Sequence, residues 1–310
     1  MSAEDGSGRP SGEGRLLQLV YYGYVAGSRL ALALPERFAY GAAHSLGSVG
    51  ARLSPKKRTV ALNLARITGR PVDSPEVEAL TREAFRSYAR YWLETFRLIR
   101  EDAEFFLTRF LCVGEHKIDA VLGRGKGALV VVGHLGNWDA AGAWAGARGN
   151  TLVTVAEVLR PRRMFDFFAA HRARLGMVIH PAQPGVTDKL VAAIEEGAVV
   201  AILGDRDLKG TGPEVDFFGA RVNFPAGPAS VALRAGVPIL VAGVGGAQFA
   251  DGRRGWLCEI SDPIELPERR DGTEIARLTQ QTADQLQRFV AKFPAEWHVF
   301  QPFWKEDRQA

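Results

Sequence analysis

The sequence predicts an α/β protein: a central, mostly parallel sheet flanked by helices, behind a helical N-terminal region. Two observations predict it. From about residue 110 onward, short apolar runs bounded by Gly, Pro or polar residues alternate with longer amphipathic stretches. Before that point, apolar residues recur at helical spacing. The chain has 310 residues, of which 46% are hydrophobic and 24% charged, enough to bury a substantial core. No repeat and no long internal linker divides it. The expected organisation is a polar, Gly/Ser-rich disordered tail at 1–13, a membrane-associating helical region at 14–109, and an α/β core at 110–310 continuous with it.

The elements follow in order. Leu16–Leu34 is apolar but interrupted by Gln18, Ser28 and Arg29. It is borderline for a span of ~20 apolar residues, and readings as an interfacial, a spanning or a core helix stay open. A helix starts at Asp73-Ser74-Pro75-Glu76: Ser74 caps, Pro75 suits the first turn, and Glu76 favours the dipole. It runs to about Arg100 and carries Tyr88, Tyr91, Trp92 and Phe96, which either line a lipid groove or pack in the core. Strands are expected at 128–133, 151–156, 177–181, 198–204, 238–244 and 256–260. Helices are expected at 161–176, 188–197 and 272–293.

The net charge of +4 suits anionic lipids, phosphorylated small molecules or nucleic acid without choosing between them. Basic residues are spread among acids and no recognition motif appears, so nucleic acid is the least expected partner. Cys112 and Cys258 stand far apart and form no metal-spaced motif. His44, His116, His171, His180 and His298 have no metal-ligand spacing and read as structural or exposed.

The chemistry concentrates where the valine run Val130–Val132 ends at Gly133-His134-Leu135-Gly136-Asn137-Trp138-Asp139. Ligands bind at the carboxyl ends of strands in such folds. Gly136 permits an unusual turn and Asn137 caps a helix beginning near Trp138. Residues five apart meet across a strand–turn–helix corner. Asp139 can then accept a hydrogen bond from His134, which either leaves the other ring nitrogen as a base or is a purely structural bond; spacing alone does not choose. The free N–H groups of the new helix suit a developing oxyanion.

A second strand end carries Gly204-Asp205-Arg206-Asp207, with Glu214 beyond. Asp205 and Asp207 suit sugar hydroxyls or support of the histidine, and Arg206 suits a phosphate. The stretch Glu157–Arg174 sets Arg160, Arg162, Arg163, Arg172 and Arg174 among Phe165, Phe167 and Phe168. It reads as a phosphate-binding cluster or as a solvated face over an aromatic stripe, with Glu157 and Arg172 the expected pocket members.

His134 through Asp139 resembles the HxxxxD motif of glycerolipid and lysophospholipid acyltransferases. The wider GHLGNWD resembles the bacterial branch of late lipid A and phosphatidylinositol mannoside acyltransferases. Four further blocks resemble that branch in the same order: SYARYWLE (87–94), GDRDLKGTGPEVDFFG (204–219), NFPAGPASVALRAGVPI (223–239) and FPAEWHVFQPFW (293–304). Where many acyltransferases place Glu after the proline of the third block, this chain has Ala226. Asp139 and the GDRDL wording lean towards the phosphatidylinositol mannoside enzymes.

The resemblance implies a glycerolipid acyltransferase-like fold and acyl transfer from acyl-CoA, palmitoyl-like, to a mannose hydroxyl. It implies His134 as base and Asp139 as its orienting carboxylate. Glu157, Arg160, Arg163, Arg172, Asp205, Arg206, Asp207 and Glu214 are the expected substrate contacts. No cofactor or metal is expected, and the chain is expected to be monomeric, at the cytoplasmic face of the membrane on anionic lipid. The alternatives are another glycolipid or lysophospholipid acceptor, a metal-dependent phosphoesterase, and a non-catalytic lipid-binding protein. The chain has no GxSxG, which argues against a serine esterase.

Overall fold

The computed structural model describes residues 12–207, 210–268 and 272–308. Most of the expected tail lies outside these residues, but Gly12 and Glu13, expected within it, already belong to a helix.

Four helices lead the chain: α1 (Gly12–Ala33), α2 (Glu36–Leu53), α3 (Lys57–Thr68) and α4 (Pro75–Arg97). The start of α4 is the expected one, with Ser74 accepting a hydrogen bond from the Val77 N–H and Pro75 at the first position. After α5 (Ala103–Arg109) the chain enters β1 (Phe110–Val113), α6 (Glu115–Leu122), β2 (Ala128–Val132), α7 (Trp138–Ala147) and β3 (Leu152–Ala156). Then follow α8 (Arg162–Arg174), β4 (Met177–Pro181), α9 (Val186–Glu195) and β5 (Val199–Leu203). The remainder is β6 (Glu214–Phe217), β7 (Ala220–Asn223), α10 (Gly227–Ala235), β8 (Ile239–Gln248), β9 (Arg254–Ile260) and α11 (Glu274–Lys292).

The main sheet has seven strands in the order β1-β9-β8-β2-β5-β3-β4. Every neighbour pair is parallel except β8 with β9. All six expected strands form. The additions are the edge strand β1 and the antiparallel hairpin β6–β7, four residues per strand. Strand β2 is buried on both faces, which is why it reads as an unbroken apolar run. One buried cluster joins Ala51, Val60, Leu64 and Phe85 of the leading helices to Val131, Val200 and Val241 of the sheet, so the helices share the core.

Two glycines fix the approach of elements to the site. Gly136 has φ +61°, and a Cβ there would lie 2.3 Å from the Val244 carbonyl oxygen. Only glycine lets the chain turn at this point while pressed against β8. In α2, a Cβ on Gly47 would lie 2.6 Å from the Arg86 backbone, so α2 and α4 touch nearly backbone to backbone. The small residues Ala39, Ala43, Gly47 and Ala51 face that contact. Leu46, Val49 and Leu53, at i, i+3 and i+7, stand on an exposed stripe, with Leu53 78% exposed. This is the reverse of ordinary amphipathicity, in which the large apolar residues turn inward.

Among the described residues no helix is long and apolar enough to cross a membrane. The spanning reading of Leu16–Leu34 therefore falls.

Candidate active site

His134 sits just past the carboxyl end of β2 and Asp205 just past that of β5, its parallel neighbour. The in-register pairing Val132↔Leu203 brings the two strand ends side by side. Asp205 uses both oxygens on His134. Oδ1 lies 2.6 Å from ring Nδ1, and Oδ2 accepts from the His134 backbone N–H at 2.8 Å. Oδ2 also accepts from the Trp297 indole at 2.9 Å. The carboxylate has no solvent exposure. Burial pushes its pKa up, but the His134 charge and the hydrogen bonds from His134 and Trp297 outweigh burial and hold it below the usual value. An ionised Asp205 accepts, so Nδ1 donates to it, and in the neutral ring Nε2 is the nitrogen that keeps its lone pair.

This corrects the expected pairing of His134 with Asp139. Asp139 is 1% exposed and faces elsewhere. Its oxygens accept from Arg172 Nε at 2.6 Å, Arg172 Nη2 at 3.4 Å and the Tyr91 hydroxyl at 3.1 Å. The reason is the cap: Asn137 Oδ1 accepts from the Ala140 N–H at 3.0 Å and starts α7 there. Asp139 thereby falls in the first helical turn, against α4 and α8. Burial would weaken the Arg172 charge, but Asp139 beside it raises the guanidinium pKa. Asn137 is itself fixed, its Nδ2 donating to the buried Glu94 at 3.1 Å.

His134 opens onto a cavity of about 650 Å³. Glu157, Arg160, Arg172 and Arg206 line it, as do Tyr88, Tyr91 and Trp92 of α4. Phe96, the fourth aromatic of that set, packs in the core beside Ala31 and Phe168. The rest of the cavity is apolar. It runs past Val132 and Trp144 to Phe110, Ile118 and Cys258, and Val20 and Tyr24 of α1 stand at its wall.

Four expected contacts do not line this cavity. Asp205 is fully buried behind His134 and committed to it and to Trp297, because the end of β5 lies beside that of β2. Glu214 is on the surface hairpin, held by Arg221 at 2.9 Å and by Lys305, because β6 pairs across to β7 there. Arg163 lies over the rings of Tyr21 and Tyr22, where α8 meets α1, and does not line the cavity. Asp207 accepts from the Gly212 N–H at 2.6 Å and lines a separate small cavity.

His298, read from sequence as structural or exposed, is buried and lines the His134 cavity. Its backbone N–H donates to the His134 carbonyl at 2.7 Å, and Leu135 forms a bridge with Trp297. Its Nε2 lies 2.9 Å from the Ser87 hydroxyl. That hydroxyl has one proton, which it donates to Glu296 at 3.0 Å. His298 must therefore donate through Nε2, leaving Nδ1 as a bare acceptor that is buried without a partner. Burial first, then Arg90 and His134, pull its pKa down to about 3.

A family model described as bacterial lipid A biosynthesis acyltransferase matches residues 10–306. The chain belongs to this family. A phosphatidylinositol mannoside acyltransferase of Mycolicibacterium smegmatis (strain ATCC 700084 / mc(2)155) is 32% identical over 297 residues, 94% of this chain and 93% of the relative. Proteins of the same name from Mycobacterium tuberculosis strains CDC 1551 / Oshkosh and ATCC 25618 / H37Rv are each 33% identical over 291 residues, 92% of this chain and 89% of theirs. In this acyltransferase family member four of the five resembling blocks reach the His134 cavity, through Tyr88, His134, Arg206 and His298.

Two stability predictions follow from the geometry. Asp139→Asn leaves Arg172 mostly buried without its anion and is expected to lose about 3–5 kcal/mol in urea denaturation. A loss under ~1 kcal/mol would mean that solvent already screens the pair. For His298, the unfolded chain titrates near 6.5 and the folded chain near 3. Between these values the unfolded chain binds the extra proton, so stability falls as pH drops through that window, by up to ~1.4 kcal/mol per pH unit. His298→Gln, which can keep the Ser87 bond, should flatten the dependence of melting temperature on pH between 6.5 and 4.5. An unchanged slope contradicts the assignment.

Proposed function

We propose that this protein transfers a fatty acyl group, palmitoyl-like, from an acyl-CoA thioester to a mannose hydroxyl of a phosphatidylinositol mannoside. One observation carries the reading: a histidine with a fixed tautomer, backed by a buried carboxylate, opens onto a long apolar cavity. The similarity to proteins named phosphatidylinositol mannoside acyltransferase supports the acceptor.

His134 Nε2 takes the proton of the acceptor hydroxyl as its oxygen attacks the thioester carbonyl carbon. The C–O bond forms and the carbonyl electrons move onto oxygen. Asp205 stabilises the imidazolium through Nδ1. Collapse breaks the C–S bond, and the thiolate leaves with the proton His134 received. The N–H groups of the first turn of α7 serve the oxyanion. The apolar cavity holds the acyl chain, and His298 Nδ1 accepts from a neighbouring hydroxyl of the sugar. A phosphoesterase reading loses its ligands here, since Asp139 serves Arg172 and Asp205 serves His134.

The expected result with labelled palmitoyl-CoA and purified phosphatidylinositol mannosides is transfer that falls about 10²–10⁴-fold in His134→Ala and Asp205→Asn, with folding intact. Thioester cleavage through His134 without transfer would overturn the acceptor alone. If neither reaction occurs across glycolipids and lysolipids, the reading gives way to lipid binding.

The protein works at an anionic membrane surface, peripherally and on the cytoplasmic face. The outward stripe Leu46, Val49 and Leu53 supports the membrane surface, as do the exposed Leu19, Tyr22, Leu30 and Phe38 beside Arg29, Arg37 and Arg52. Because Val20 and Tyr24 also wall the cavity, lipid enters from α1. In co-sedimentation with phosphatidylglycerol-containing vesicles, the double variant Leu46→Glu/Leu53→Glu should bind at least about tenfold more weakly. Equal binding would locate the membrane face elsewhere.

A further inference from the structure

A second cavity of about 390 Å³ adjoins the first, lined by Arg206, Asp207, Asn223, Gln301 and Phe303 among others. Arg206 is common to both. Its charge lies close enough to the Tyr88 hydroxyl of the His134 cavity to lower that group's pKa, against the larger upward push of burial. It follows directly on Asp205, the partner of His134. On its other side it is held by an amide: with the Gln301 oxygen turned towards it, Nε and Nη2 donate at 2.7 and 2.9 Å. Among the described residues no carboxylate stands within ion-pair distance of Arg206, and its side-chain partner is the neutral Gln301 amide. Asn223 and Asp207 are committed to the backbone of Gly212, which shapes the wall without neutralising the arginine.

We infer that Arg206 and this side cavity bind a phosphate of the substrate, the phosphodiester of the acceptor lipid. A guanidinium that keeps its charge, positioned by a neutral partner, is a phosphate site in waiting. Phosphates come from two sources, the acceptor and coenzyme A. The pantetheine arm separates the phosphates of coenzyme A from the thioester sulfur by a long spacer. The phosphodiester of a mannosylated phosphatidylinositol is only an inositol ring away from the mannose. Arg206 adjoins the base machinery itself, which favours the nearer phosphate. This inference rests on the acyl-transfer reading and gives it a headgroup anchor.

The test compares wild type, Arg206→Gln and Arg206→Lys with two acceptors: a phosphatidylinositol mannoside and a phosphate-free alkyl mannoside. For Arg206→Gln, KM for the phosphate-bearing acceptor should rise about tenfold with kcat nearly unchanged. KM for the alkyl mannoside and for palmitoyl-CoA should stay put, and Arg206→Lys should lie between. Equal effects on both acceptors, or none, overturn the inference. A rise confined to palmitoyl-CoA assigns the phosphate to the donor and overturns the acceptor source. A direct arm needs no turnover: water-soluble dioctanoyl phosphatidylinositol, titrated calorimetrically, should bind Arg206→Gln about tenfold more weakly than wild type. If wild type transfers to neither acceptor, the acyl-transfer reading falls, and this titration still decides the phosphate site; equal binding overturns it.

Discussion

The site depends on one carboxylate. Asp205 holds the ring of His134, the backbone of His134 and the indole of Trp297 at once. It thereby ties the end of β2 to the end of β5 and to the segment after α11. A carboxylate with no exposure is expensive unless its lone pairs are filled, and three donors fill them here. The same bonds that offset desolvation also set the tautomer. Structure and chemistry are therefore not separable at this residue: what keeps Asp205 charged is what leaves His134 Nε2 free.

Around that centre the elements divide the work. Glycine at 136 lets the chain turn against β8, so the backbone after His134 can pair with Trp297. The cap at Asn137 then commits Asp139 to the interior, where it neutralises Arg172 and accepts from Tyr91. Asp139 thus locks α4, α7 and α8 together behind the cavity. Two acidic residues near one histidine have separate duties, and the strand ends and the cap decide which is which.

The sequence made the sheet legible because its central strands are buried on both faces and carry continuous apolar runs. Strand β1 and the β6–β7 hairpin escaped for a physical reason. Each strand of the hairpin is four residues long with polar residues at alternate positions, and β1, though apolar throughout, is only four residues long and follows directly on α5. The His134 motif was legible by its strand end, glycine and cap. Its partner was not, because sequence proximity favoured Asp139 while the in-register pairing of β2 with β5, a tertiary fact, favoured Asp205. Asp205 also ends a strand, but in sequence it suits sugar hydroxyls as well as support of the histidine, and Asp207 suits both equally. Glu214 misled by standing near that block, although a hairpin carries it to the surface. His298 carried no spacing signal at all. Its place in the cavity comes from the bridge between Leu135 and Trp297, which spans most of the core domain in sequence.

His298 also bears on how the cavity keeps its charge balance. The cavity holds the basic side chains Arg160, Arg172 and Arg206 beside His134, against Glu157 and the already committed Asp139. A second protonated imidazole there would add a cation where the proposed acyl transfer develops an imidazolium on His134. Burial prevents this, with Arg90 and His134 repelling a further proton, while Ser87 and Glu296 fix the one proton of His298 on Nε2. The neutral ring can sit close to His134 without opposing its protonation as a cation would. A polar group can thus be placed in a mostly apolar pocket and still act only as an acceptor. Arg160 and Arg206 remain available for anions, since Asp139 holds Arg172, and on the proposed mechanism the positive charge that develops appears on the histidine that Asp205 faces.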